Sequence, residues 1–354
     1  MTKRRGDSML TVICPGSPAG ERFERLLSAA LAGHAFQRVS WLTDPLAERR
    51  LFFAVSLPES GVSHGFYDLL AFLRAHPGCL AGSVGGILID GAGDLYTKAI
   101  GRELVLAANL AGCRFPGRPL VECTGTLQNF TVQAKNAGCG LSEAADLASA
   151  DLVRRILDFS PPRHSRPKLL VLHASNHKTS NTLALWSRVR KQLENTCSIT
   201  EIGLRNGTLE DCSGCPYTMC LHYGEQGDCF YGGVMVQEVY PAIREADAVV
   251  LLCPNYNDAL SANLTAAINR LTALYRTAPF TGKAVFGIVV SGYSGGDIVA
   301  SQLVSALNMN KGFWLPSRFC LLATANDAGT ALALPGIDAR LEAFAANLLH
   351  HLQE

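Results

Sequence analysis

Charge of one sign is the first thing this sequence lacks. Its 31 Lys and Arg face 30 Asp and Glu, a formal net charge of +1. That balance gives no electrostatic footprint for nucleic acid or an anionic membrane surface. Long apolar runs are missing too, since none approaches the roughly 18–20 residues that span a bilayer. No Gly-x-Gly-x-x-Gly fingerprint for a dinucleotide occurs. The opening stretch, MTKRRGDSMLTVICPGSPAG, sets basic residues before a short apolar run broken at Pro15-Gly16. It reads as a tail entering a first strand rather than an export signal. Without such a signal, the 12 cysteines suggest reduced thiols or metal ligands in a cytosol. The expectation is a cytoplasmic protein.

What is present is apolar. Residues of hydrophobic type make up 48% of 354, enough for full cores and too long a chain for one ordinary domain. Buried-strand patterns fall at 10–14, 51–57, 85–91 and 118–125. Helical patterns lie between them near 21–32, 67–74, 97–111 and 144–159. A Pro-rich, charged stretch at 160–167 reads as a linker between a domain at 9–159 and one at 168–354. The second half repeats the order, with strands LLVLH, ITEIGL, AVVLLCP, AVFGIVVSG and RFCLLAT separated by helical patterns. Alternating strands and helices with short loops imply a parallel sheet covered on both faces. Five of each suit a flavodoxin-like doubly wound domain.

The halves are also locally alike. Ile87–Gly91 parallels Ile288–Gly292, and Leu104–Asn109 parallels Leu303–Asn308. The expectation is an α/β protein of two tandem flavodoxin-like doubly wound parallel-sheet domains from an internal duplication. The first copy would be degenerate and would bind no phosphate through its PGSPAG loop.

The stretch LLVLHASNHKTSNT at 169–182 runs from a strand through a polar loop into a helix. The first helical N–H groups then point unpaired at the loop, and with the positive end of the helix dipole they suit a phosphate. Ser175, Ser180 and Thr182 add hydroxyls, and Lys178 or His177 could add charge. An ordinary N-cap would look the same. Residues 175–182 resemble the phosphate loop of the NAD(P)H-dependent FMN reductases and the related iron–sulfur flavoproteins, Gly-Ser-Pro-Arg-Lys-x-Ser-Asn-Thr. Ala174 stands for the Gly and Asn176-His177 for Pro-Arg, which leaves Lys178 as the cation. The Ser175…Ser180-Asn181-Thr182 frame is intact.

The resemblance extends to 168–354. Cys253-Pro254-Asn255-Tyr256-Asn257-Asp258-Ala259-Leu260-Ser261 is similar to the family's Ser-Pro-x-Tyr-Phe-x-x-x-Ser loop, which lines the isoalloxazine ring. Asn257 replaces the second aromatic residue. A third loop, Ser291-Gly292-Tyr293-Ser294-Gly295-Gly296, has glycines that would admit backbone close to a flavin. Between the second strand and its helix lie Cys212, Cys215, Cys220 and Cys229. Thiolates so dense suit an iron–sulfur cluster or tetrahedral zinc, with free thiols as the alternative. The iron–sulfur flavoproteins carry a more compact Cys motif here, and the present spacing, Cys-x2-Cys-x4-Cys-x8-Cys, is longer.

The resemblance implies bound FMN, a 4Fe–4S cluster in some members, NAD(P)H or a reduced electron-transfer protein as donor, and homo-oligomers. Because the flavin carries the hydride and electron steps, no catalytic acid or base is nominated. An electron carrier without its own substrate, or a redox or metal sensor built on the cysteine loop, stays open beside the oxidoreductase.

Overall fold

The computed structural model describes residues 9–16, 20–42, 44–175 and 180–354. The chain divides into two compact units, one ending at Ser160 and the other beginning at Pro161.

In the first unit the strands are β1 (Leu10–Ile13), β2 (Phe36–Val39), β3 (Arg50–Leu57), β4 (Val84–Gly91) and β5 (Leu120–Cys123). All pair in parallel in the order β2-β1-β3-β4-β5. The apolar runs Leu51–Val55 and Ile87–Ile89 are buried, as strands covered on both faces must be. β2 is different: Phe36, Gln37 and Arg38 are exposed and Val39 half-buried, so this edge strand carries no apolar alternation and the sequence patterns pass over it.

The second unit has β6 (Lys168–His173), β7 (Ser198–Gly203), β8 (Ala248–Pro254), β9 (Ala284–Ser291) and β10 (Cys320–Thr324). Their parallel order is β10-β9-β8-β6-β7. Read from its own first strand, each unit has the order 2-1-3-4-5. That is the doubly wound flavodoxin-like topology, with its switch point between the first and third strands.

The central strands β8 and β9 are apolar and almost wholly buried, and helices supply the covering layers. Helix Asn181–Leu193 buries Thr182, Leu183, Leu185, Trp186, Val189 and Leu193 on one stripe. Trp186 also donates from Nε1 to Glu201 Oε1 at 2.9 Å, tying the helix to edge strand β7. Truncating so buried a tryptophan costs about 3–5 kcal/mol. Residues 161–167 are hydrogen-bonded within the second unit: the His164 amide donates to Leu352 O at 2.8 Å.

Structural detail repeats between the units as well. Asn109 Nδ2 donates to Cys113 O at 3.0 Å, and Asn308 Nδ2 donates to Phe313 O at 2.8 Å. Each amide closes the turn that leads into a short parallel bridge, Val84 with Arg114 in one unit and Ala284 with Trp314 in the other. Among the described residues, no helix is long and apolar enough to cross a membrane.

Candidate functional site

In a parallel sheet the loops after each strand leave from one edge, and a ligand site forms where strand order reverses. In the second unit that point lies between β6 and β8. The loop after β6 ends at Ser180, whose side chain accepts from the Leu183 amide and caps the helix Asn181–Leu193. Thr182 is buried within the first turn. Its hydroxyl lies 2.8 Å from Ser180 Oγ and 3.3 Å from Ser175 Oγ. Three hydroxyls therefore meet where the helix presents its unpaired amides, a donor set of the chemistry a phosphate monoester needs. His177 and Lys178 lie outside the described residues.

Asn181 turns the other way. Its Nδ2 donates to Ala325 O at 3.2 Å and Asp327 O at 2.9 Å, while its Oδ1 accepts from the Gly329 amide at 2.9 Å. The Ala331 amide approaches the same oxygen at 3.3 Å. Asn181 thus holds the loop after β10 against the start of the helix. The sequence reading nominated no residue of that loop; a polar Asn326-Asp327-Ala328-Gly329 turn after an apolar strand was its only signal.

After β8 the chain makes a tight reversal. Tyr256 and Ala259 exchange backbone hydrogen bonds of 3.2 and 3.1 Å, and Asn257 and Asp258 between them both have positive φ, 54° and 57°. Two left-handed residues in the central positions make a turn of the I′ kind, which Asn and Asp tolerate and a bulky aromatic does not. That is a physical reason for asparagine at 257. The reversal leaves Tyr256 57% exposed. Gln302 holds the turn from outside, accepting from the Leu260 amide at 2.9 Å and donating to Asp258 O at 3.0 Å.

The loop after β9 docks on this turn. Asn255 Nδ2 donates to Ser294 O at 2.9 Å and Ser291 Oγ at 3.2 Å, with Asp258 Oδ1 at 3.3 Å. Its buried Oδ1 has no hydrogen-bond partner among the described residues, an acceptor that a ligand N–H could satisfy. Gly295 sits at φ +80°, where a Cβ would collide with the Asp258 carboxylate and stand 2.9 Å from Asn255 Nδ2. Gly292 has no room either, its Cβ meeting Asn326 Oδ1 at 2.9 Å. Gly296 begins the helix Gly296–Leu303. Tyr293 projects outward, 82% exposed. Pro254 ends β8, and buried Cys253 before it has its thiol pushed well up by burial, which keeps it protonated.

The cysteine-rich stretch is not the open loop expected. Tyr217–Glu225 forms a helix that carries Cys220, Cys212 is exposed before it, and Cys215 and Cys229 are half-buried on either side. Among the described residues, no three His, Cys, Asp or Glu side chains are grouped to hold a metal ion.

The first unit has a cavity of about 720 Å³ at the corresponding edge, lined in part by Gly16, Glu21, Arg22, Ser63, His64 and Asp90. Its charge pattern is unlike that of the second unit. Arg22 is consumed internally, bonding Asp90 Oδ1 at 2.7 Å, Gly91 O at 2.6 Å and Gly125 O at 3.0 Å. Helix Glu21–Leu31 starts from Gly20 without a side-chain cap and puts Glu21 and Glu24 in its first turn. Carboxylates there oppose a second anion.

Residues 167–327 match the family described as NADPH-dependent FMN reductase. Among solved structures, RosB with a bound 8-demethyl-8-formylriboflavin-5'-phosphate intermediate is 15% identical, covering 52% of this chain and 78% of that one at a TM-score of 0.41. An NAD(P)H:quinone oxidoreductase from Methanothermobacter marburgensis is 14% identical over 52% of this chain and 98% of its own, at 0.40. A putative quinone reductase from Klebsiella pneumoniae is 17% identical over 51% and 83%, at 0.38. No curated protein matches the chain significantly.

Proposed function

We propose that the second unit binds FMN and that the protein is an FMN-dependent oxidoreductase drawing electrons from NAD(P)H. The observation that carries this reading is the hydroxyl cluster of Ser175, Ser180 and Thr182 at a helix N-terminus, inside the stretch that matches the FMN reductase family. Bound FMN would supply the hydride and electron chemistry. The chain's own residues bind and orient it. Ser175, Ser180, Thr182 and the first helical amides hold the phosphate. The turn at Asn255, Tyr256 and Asn257, and the loop at Ser291, Gly292, Tyr293, Gly295 and Gly296, frame the ring, with Asn255 Oδ1 as an acceptor for a ring N–H. Tyr256 and Tyr293 offer exposed aromatic surface for a planar ligand.

The first unit serves in this reading as a flavin-free scaffold, with Gly20 at the helix cap where the second unit has Ser180 and the internally paired Arg22 where it has Thr182. A cytoplasmic homo-oligomer completes the proposal.

The test is an absorption spectrum and released-flavin chromatography on purified protein, followed by NAD(P)H oxidation with added quinone or FMN. A yellow protein releasing one FMN per chain is expected, and the Ser175→Leu/Thr182→Leu variant should purify colourless. Full flavin occupancy in that variant would place the site elsewhere. A flavin-loaded protein inert toward NAD(P)H would instead be an electron carrier.

A further inference from the structure

The four cysteines that do not gather around a metal still occupy a built environment. Helix Ala262–Tyr275 braces both ends of their segment: Asn269 Nδ2 donates to Asp211 Oδ1 at 3.0 Å, and Arg270 donates to Glu210 O at 3.4 Å and Gly232 O at 2.7 Å. Arg270 is 2% exposed, its guanidinium 5.9 Å from the Tyr231 ring centroid, and its buried Nε has no hydrogen-bond partner among the described residues. Among the described residues this buried guanidinium meets backbone carbonyls and a ring face.

The backbone reverses direction between two of these thiols. Helix Tyr217–Glu225 ends in a Schellman arrangement. Gly227 is left-handed at φ +71°, its amide donates to Gly224 O at 2.9 Å, and the Asp228 amide donates to Tyr223 O at 2.9 Å. The chain therefore turns back at the helix end, with Cys229 just past the reversal and Cys220 on the helix before it. The rings of Phe230 and Tyr223, 5.8 Å apart, fix the reversal. Beneath it lies Tyr240, fully buried, donating to Arg270 O at 2.6 Å. Burial first, and then the Cys229 and Cys220 sulfurs, push that phenol up, so both sulfurs act on one buried hydroxyl.

We propose that Cys220 and Cys229 are a redox-modification site, a dithiol that closes reversibly to a disulfide by exchange with a low-molecular-weight disulfide. One thiolate attacks RS–SR and expels RS⁻, leaving a mixed disulfide. The other thiolate attacks the protein sulfur of that bond and expels the second RS⁻. The protein loses two electrons and two protons, and RS–SR becomes two RSH. The site stands whether or not FMN binds.

The experiment uses full-length protein freed of reductant and treated with oxidised glutathione. Trypsin releases residues 206–244 as one peptide carrying all four cysteines of the segment, and mass spectrometry maps its links. The wild type and the Cys212→Ser/Cys215→Ser variant should both convert nearly completely to an internal disulfide that dithiothreitol reopens. Cys220→Ser and Cys229→Ser should stop at a glutathione adduct, with circular dichroism verifying that each variant is folded. A link confined to Cys212 and Cys215, no internal link in folded protein, or stoichiometric iron or zinc shielding all four thiols would each overturn the proposal.

Discussion

At Gly295 three demands coincide: a positive φ, no space for a Cβ, and an acceptor just before it at Ser294 O that Asn255 uses. Gly295→Ala would strain the backbone and push on Asp258. A cost of about 1–3 kcal/mol is expected, read as a lowered urea midpoint together with weaker FMN retention. Full retention with unchanged stability would show the two loops to be independent. A second residue sets an alkaline limit. Burial pushes the Cys123 thiol from 9.0 up to about 12. The unfolded chain releases this proton near 9.0 and the folded chain keeps it until about 12, so the unfolded state binds fewer protons in that window. Stability should then fall as pH rises through it, by up to ~1.4 kcal/mol per unit for this one group. Urea unfolding at pH 8 and pH 10.5 should depend less on pH in Cys123→Ala than in the wild type.

Among elements, helix Asn181–Leu193 joins stability to binding. Its cap and its hydroxyl cluster share Ser180. Ser180→Ala should cost about 1 kcal/mol in the ligand-free protein, and the loss should grow when FMN is present, since the variant also forfeits ligand binding. An equal loss with and without FMN would make Ser180 a cap alone. The element scale also shows what the sequence discloses. This helix was legible because a polar loop ended in Ser180 and apolar residues followed at helical spacing. The central strands were legible because strands covered on both faces must be apolar. β2 was not, because its partner β1 supplies the burial while Phe36, Gln37 and Arg38 face solvent. Nor was helix Tyr217–Glu225, whose pattern YTMCLHYGE buries only Gly224 and leaves no apolar stripe to read. Of the candidate site, the hydroxyls could be named from a polar loop between strand and helix, and the glycines from their place after an apolar strand. The reach of Asn181 to the loop after β10 could not, because it depends on tertiary approach.

Across the whole molecule, one topology occurs twice with different edges. Residues 161–354 expressed alone should retain FMN, whereas residues 9–160 should be colourless despite their cavity, because Glu21 stands where an anion would bind. Stoichiometric FMN in the shorter fragment would overturn the scaffold role of the first unit. The tie from Asn181 to the loop after β10 also bears on biosynthesis. The Asn181 side-chain amide at the start of this helix is completed by partners 144 to 150 positions later in the chain. A ribosome that has made β6 and its helix has not yet made the segment that holds that helix start in place. Nascent chains arrested before residue 325 should therefore capture flavin poorly, and those arrested after residue 331 has emerged should capture it well, so that cofactor loading reports completion of translation through this segment.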